Sequence, residues 1–250
     1  MKKNLKALAV LGACAVLALS AWGCGEKDTD DTTSASVTTE ANILLPETEA
    51  DTQATDDVTT EDGAGDTVVT SGDFQLGQVN GDVYTNDFFG IEIQVPEGWT
   101  VGDTKTLAGQ SGVSEEDYNV ETVKSNIEST KGRTYADLYI ADPTTGDSIN
   151  IQVSKPFSGM SLDKKQITAM IVDTTKTQLE NQGIEVQSMN NVEVEVAGRN
   201  EPMLDAILVN GGLTGYEKQF YYINGDYVAY VTVASINGDR TADLLKYIKK

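Results

Sequence analysis

Hydrophobic and polar positions change rhythm three times along the chain. Residues 7–23, ALAVLGACAVLALSAWG, form an almost unbroken apolar run behind Lys2, Lys3 and Lys6. Residues 25–73 hold few apolar positions, no aromatic residue and a dense mixture of Thr, Asp and Glu. Regular patterning starts after that. Val79-Asn80-Gly81-Asp82-Val83 is a turn signal between short extended pieces. Phe89, Ile91, Ile93 and Val95 then alternate with Gly90, Glu92 and Gln94, which predicts a strand with one buried face. Pro96-Glu97-Gly98 interrupts it, and Trp99 and Val101 resume the buried side. Ser114 ahead of Glu115, Glu116 and Asp117 predicts a helix start, with Val120, Val123 and Ile127 at helical spacing behind it.

The second half is read in the same way. Tyr135–Ala141 and Ser148–Ser154 are strand-like runs flanking a turn-forming loop at 142–147, and Ile149, Ile151 and Val153 alternate in the second run. The spacing of Ile167, Met170, Ile171 and Leu179 predicts a helix over Asp163–Gln182, stopped by Gly183. Five strands follow: Ile184–Met189, Val192–Ala197, Met203–Val209, Tyr216–Ile223 and Tyr227–Ala234, with Asn224-Gly225 as a hairpin turn. Thr241 is placed to cap a last helix carrying Leu244, Leu245 and Ile248. Strands joined by tight turns form antiparallel sheet, and helices packed on it make the fold class α+β. The boundaries are 1–23 for a leader, 24–73 for a disordered acidic tether and 74–250 for the folded domain.

Within that domain, Tyr84-x-Asn86-x-x-Phe89-Gly90-Ile91 followed by Pro96-x-Gly98-Trp99 resembles the opening of PsbP-like domains, best of all in uncharacterised Gram-positive bacterial lipoproteins. The order of predicted elements agrees with that family over about 77–250. The resemblance implies an antiparallel sheet with helices packed on both faces, an α/β/α sandwich, and an accessory or assembly role rather than catalysis. No residues matching the ion-linked role of the photosynthetic relatives are present.

Composition narrows the chemistry. The formal charge is -21, with 39 acids against 18 bases and no histidine. A chain this acidic has no cationic stripe with which to displace counterions from phosphates, so nucleic acid is excluded as a partner. Without histidine there is no Ser-His-Asp triad and no imidazole metal ligand. Both cysteines, Cys14 and Cys24, precede the folded part, which therefore holds neither a disulfide nor a nucleophilic thiol. No cofactor is implied.

The leader has a basic start, an apolar stretch and a small residue before its break, the pattern of a secretory signal. Its 17 apolar residues also lie at the short end of what spans a bilayer as an uncleaved anchor. Cys24 separates the two readings: it follows Gly23, ends the apolar run and opens directly onto polar chain. This resembles the lipobox of bacterial lipoproteins, whose cysteine receives a diacylglyceryl group and becomes the new N-terminus. Leu11-Gly12-Ala13-Cys14 matches the letters more closely but comes only eight residues after Lys6. Lipidation at Cys24 implies a membrane-attached chain, palmitate among its acyl groups, on the extracytoplasmic face of the cell envelope. The 49-residue tether cannot bury enough apolar area to order itself, and as a coil it spans roughly 35–42 Å.

Three groups in the domain are candidate sites. Asp142 and Asp147, with Asp137 nearby, have the carboxylates and loop carbonyls a calcium ion takes, although Asp-Pro and Gly-Asp are equally turn chemistry. Tyr221 and Tyr230, among the aromatics of the last hairpin, are candidates for a ligand groove as well as for the core. Asn-Gly-Asp recurs at 80–82, 224–226 and 237–239, each time at an element end, and reads as turn chemistry. No spacing selects a catalytic carboxylate pair. The leading functional expectation is a non-catalytic accessory or protein-binding lipoprotein with an envelope partner. The alternatives are a binding module for a small molecule or cell-wall fragment, and a hydrolase working through Asp and Glu.

Overall fold

The computed structural model describes residues 72–129, 133–155, 163–236 and 238–249. Cys24 and nearly all of the tether lie outside them, as do Asn237 and the side chain of Met170. Among the described residues no helix is long and apolar enough to cross a membrane.

Phe74 is the first buried residue among those described, stacked on Tyr227 with ring centroids 5.1 Å apart. Three short strands follow, β1 (Gln78–Asn80), β2 (Val83–Asn86) and β3 (Ile91–Gln94), paired antiparallel in that order. Gly81 takes the positive φ that the β1–β2 turn needs. Phe89, Ile91, Ile93 and Val95 are all buried, as their alternation predicts, while Trp99 is half-buried and packs against Tyr247. Val101, expected on the buried side, is exposed on the two-residue edge strand that follows.

The large sheet has seven strands in the order β4-β5-β6-β10-β9-β8-β7, every neighbour antiparallel. They are β4 (Thr100–Val101), β5 (Thr134–Ala141), β6 (Ser148–Ser154), β7 (Glu185–Val196), β8 (Arg199–Asn210), β9 (Leu213–Asn224) and β10 (Tyr227–Ile236). Side chains on successive residues point to opposite faces. Ala229, Val231 and Val233 of β10 enter the main core, together with Phe220 and Tyr222 of β9 and Ile149, Ile151 and Val153 of β6. The small sheet covers this face, with helix α2 (Val120–Ser129) and the C-terminal helix α4 (Thr241–Leu244), which a 3-10 turn at Leu245–Tyr247 extends. On the other face Tyr221, Val228 and Tyr230 meet Ile167 and Ile171 of helix α3 (Lys164–Asn181). The result is an antiparallel α+β architecture with a helix on one face and a small sheet plus helices on the other.

Four local expectations change. Helix α1 (Thr104–Gln110) was not predicted: its sequence TKTLAGQ has no apolar stripe, and Asp103 starts it by accepting from the Thr106 N–H at 2.8 Å. Helix α2 begins at Val120, not behind Ser114. Residues 115–117 form a turn, Tyr118 swings inward to donate its hydroxyl to the Ala136 carbonyl, and Asn119 accepts from the Thr122 N–H at 3.0 Å. The two strands expected at 184–189 and 192–197 are one, β7, because Asn190-Asn191 pairs straight through with Asp205 and Leu204. At the last helix, Asp239 rather than Thr241 supplies the capping oxygen, accepting from the Thr241 N–H at 3.0 Å.

Candidate functional site

The loop acids are separated by what they bond. Asp142 accepts from the Thr144 N–H at 2.7 Å and the Thr145 hydroxyl at 2.9 Å, the self-contained turn expected of Asp-Pro. The Thr144 N–H leads the contacts that hold its exposed carboxyl below the ordinary value. Asp147 is gripped by Arg240: Nε donates at 2.6 Å to one carboxylate oxygen and Nη2 donates to the other. The same guanidinium donates to the Ile236 carbonyl at 3.0 Å, so it ties the β5–β6 loop to the connection between β10 and α4.

Asp137 faces elsewhere. A bulge between Ala136 and Leu138 leaves it as an extra residue in β5, and its carboxylate reaches the small sheet. It accepts from the Gly77 N–H at 2.8 Å, the Tyr84 hydroxyl at 2.7 Å and the Asn86 amide at 2.7 Å. Burial raises its pKa above the ordinary value, and these three donors oppose but do not overcome that shift. Burial, then the Asp137 charge, drives the Tyr84 hydroxyl well up. This corrects the grouping of Asp137 with Asp142 and Asp147: each carboxylate serves a different joint of the fold. Among the described residues no three Asp, Glu, Cys or His side chains are gathered as metal ligands.

Tyr221 and Tyr230 line no groove. Both are at most 1% exposed and meet edge to face with centroids 5.5 Å apart beneath α3. Their neighbours on that face are unexpectedly polar. Ser148, Asn150, Gln152 and Ser154 of β6, Thr232 of β10, and Glu217 and Gln219 of β9 are all buried. Gln219 donates to the Thr232 hydroxyl at 3.0 Å and accepts from Tyr221 at 3.2 Å. Among the described residues, Gln152 Oε1, Ser154 Oγ and Glu217 Oε1 have no hydrogen-bond partner. Burial pushes the Glu217 carboxyl up to about 8, so at neutral pH it is mainly protonated. The pattern Ser-Ile-Asn-Ile-Gln-Val-Ser shows the alternation of β6, but not that its polar face would be covered as well.

At the opposite side of the sheet, β7 is the edge strand. A groove of about 500 Å³ runs beside its end, between Val194–Ala197 and the C-terminal segment, which contributes Ala242, Leu245 and Ile248 with Lys246 and Lys249. Ala197 forms the floor of the β7–β8 turn in the left-handed region, at φ 50°. The C-terminal wall of this groove is tied down, because Ile248 bridges to Ile93 and the Lys249 N–H donates to the Glu92 carbonyl at 2.9 Å. Sequence reading missed the groove, since its two walls are about 50 residues apart and each is an ordinary amphipathic segment.

No family model and no curated protein matches the chain. Among solved structures it is similar to LpqN of Mycobacterium tuberculosis, described as involved in cell envelope biogenesis. The match has 13% identity and a TM-score of 0.31, over 63% of this chain and 77% of that one. A likeness of that size bears on neither fold nor role.

Proposed function

We propose that this chain is a lipid-anchored protein of the cell envelope, displayed on the extracytoplasmic face, whose folded domain is a non-catalytic accessory or protein-binding module. The observation that carries the reading is the placement of Cys24: behind a basic start and an apolar run, after Gly23, and ahead of an acidic polar stretch that ends where Phe74 enters the core. One diacylglyceryl cysteine with a further acyl chain meets the two-signal requirement for stable attachment. A non-catalytic role is supported by three of the four carboxylates buried among the described residues, each of which is engaged in holding the fold, while the fourth, Glu217, is closed off beneath α3. Asp137 joins the two sheets, Asp147 clasps Arg240, and Glu201 pairs with Lys164 at 2.8 Å. The order of short hairpin, helix, hairpin, long helix, meander and C-terminal helix supports the PsbP-like reading of the domain.

The test is Cys24→Ala in the native host with fatty-acid labelling and membrane fractionation. The wild type labels and sediments with membranes; the variant does neither. A variant that still labels refutes the assignment. A second reading, a module for a small molecule or cell-wall fragment, draws on the groove of about 500 Å³ between the end of β7 and the C-terminal segment. Thermal stabilisation by a panel of wall-derived glycans and peptides, with no crosslinked protein partner, favours that reading instead.

A further inference from the structure

We propose that the free edge of β7 is a docking site for an extended segment of a partner protein, one that alternates apolar and basic residues. This rests on the accessory, protein-binding reading and names the surface and the chemistry of its partner.

The two edges of the large sheet differ. β4 at one edge is two residues long, and α1 follows it alongside β5. β7 at the other edge is twelve residues long, and among the described residues no backbone group outside the sheet hydrogen-bonds to it. A bulge at Gln187 interrupts its first turn of pairing, which leaves Ser188–Val196 as a regular run. A long regular edge presents a row of backbone donors and acceptors to an added strand.

The faces flanking this run dictate what the added strand carries. Val192, Val194 and Val196 lie on the face of the main core, and the last two border the groove under Leu245 and Ile248. Side chains of an incoming strand beside them are apolar and fill that groove between its apolar walls, and the Lys246 and Lys249 that also line it leave no place for a basic side chain on this face. Glu193 and Glu195 lie on the face of α3 and are exposed. Lys165 partly offsets Glu193 at 2.6 Å, across a pair that is itself exposed, and Glu195 adds a second negative charge. Side chains of an incoming strand beside these two are basic. Cross-strand neighbours of opposite charge stabilise a pairing, and like charges oppose it. The formal charge of -21 favours a basic partner over a second copy of this chain.

The experiment measures binding of a fluorescent, end-blocked eight-residue peptide alternating valine with lysine to the full chain in detergent. Three comparisons accompany it: the same residues in block order, the peptide N-methylated on one alternate set of amides, and the peptide N-methylated on the other. The alternating peptide binds one to one. Block order weakens it by about tenfold or more, and only one of the two N-methylated sets abolishes binding, since alternate amides face the edge. Glu193→Lys with Glu195→Lys, both exposed, weakens binding by a similar factor. Ala242→Trp, an exposed groove wall, does so without touching the core. Equal affinity for the block-ordered peptide, or equal effects of the two N-methylated sets, overturns the proposal. A dimer in sedimentation velocity that Glu195→Lys disrupts overturns it too, by making a second copy the occupant. In cells, a photo-crosslinking residue at 195 is compared with one at 213, the first residue of β9 after the β8–β9 turn, at the other end of the strands. Adducts at 213 alone overturn the edge site and leave the accessory reading standing; no adduct at either position speaks against both.

Discussion

Glu217 makes the fold depend on pH in a direction opposite to that of most carboxylates. Its side chain is buried on the α3 face between Ala206 and Ala234 of the neighbouring strands, and among the described residues one carboxyl oxygen has no partner. Burial raises its pKa from 4.5 to about 8 in the folded chain. Between those values the folded state holds a proton that the unfolded state has lost, so stability falls as pH rises through this window. At about 1.4 kcal/mol per pH unit, the loss is on the order of 5 kcal/mol by pH 8. The assay is urea unfolding of the wild type and of Glu217→Gln at half-unit steps from pH 4.5 to 8.5. Taking the difference between the two chains removes the contribution of Asp137, whose pKa is also raised and is common to both. The Gln variant is expected to gain on the wild type progressively up to about pH 8 and then hold its advantage. Parallel curves across the window refute the reasoning, and so does a gap that widens as pH falls.

Three further substitutions test the joints of the fold. Asp137→Ala leaves the Tyr84 hydroxyl, the Asn86 amide and the Gly77 N–H without their acceptor; it is expected to cost about 3–5 kcal/mol in urea unfolding, with hydrogen-exchange protection lost first across 77–94. Arg240→Lys keeps the charge but cannot span both oxygens of Asp147 and the Ile236 carbonyl together, so about 1–3 kcal/mol is lost and Lys does not rescue what Ala removes. Ala197→Gly relieves a left-handed backbone that a Cβ opposes, and is expected to raise stability by about 1 kcal/mol, read as an increase in the urea midpoint at constant slope.

Much of the fold is legible in the sequence because alternation and burial coincide. The runs Ile91–Gln94 and Ser148–Ser154, the capped α3 and the Asn224-Gly225 turn announce themselves through period, cap and positive φ. What stays hidden depends on partners distant in the chain. Asn190-Asn191 reads as a turn until β8 pairs with it, and α1 has no apolar stripe to betray it. Asp137 looks like one of a loop cluster, yet a bulge turns it toward Tyr84, 53 positions earlier. Asp147 looks like a ligand, yet its partner is Arg240, 93 positions later. Tyr221 and Tyr230 could be read as groove or core, and only the docking of α3 decides for core. The proposed lipidation of Cys24 is the reverse case: it rests on local sequence alone, and Cys24 lies outside the described residues.

The central claim is that the domain works by holding a protein partner while its N-terminus is fixed to the membrane. Crosslinking on intact cells, comparing the wild type with Cys24→Ala, tests this most directly. The account predicts a discrete protein adduct on the wild type that is lost or strongly reduced when the chain is released by Cys24→Ala. A wild type that forms no discrete adduct, together with turnover of a glycan or peptide by the purified chain, would contradict it.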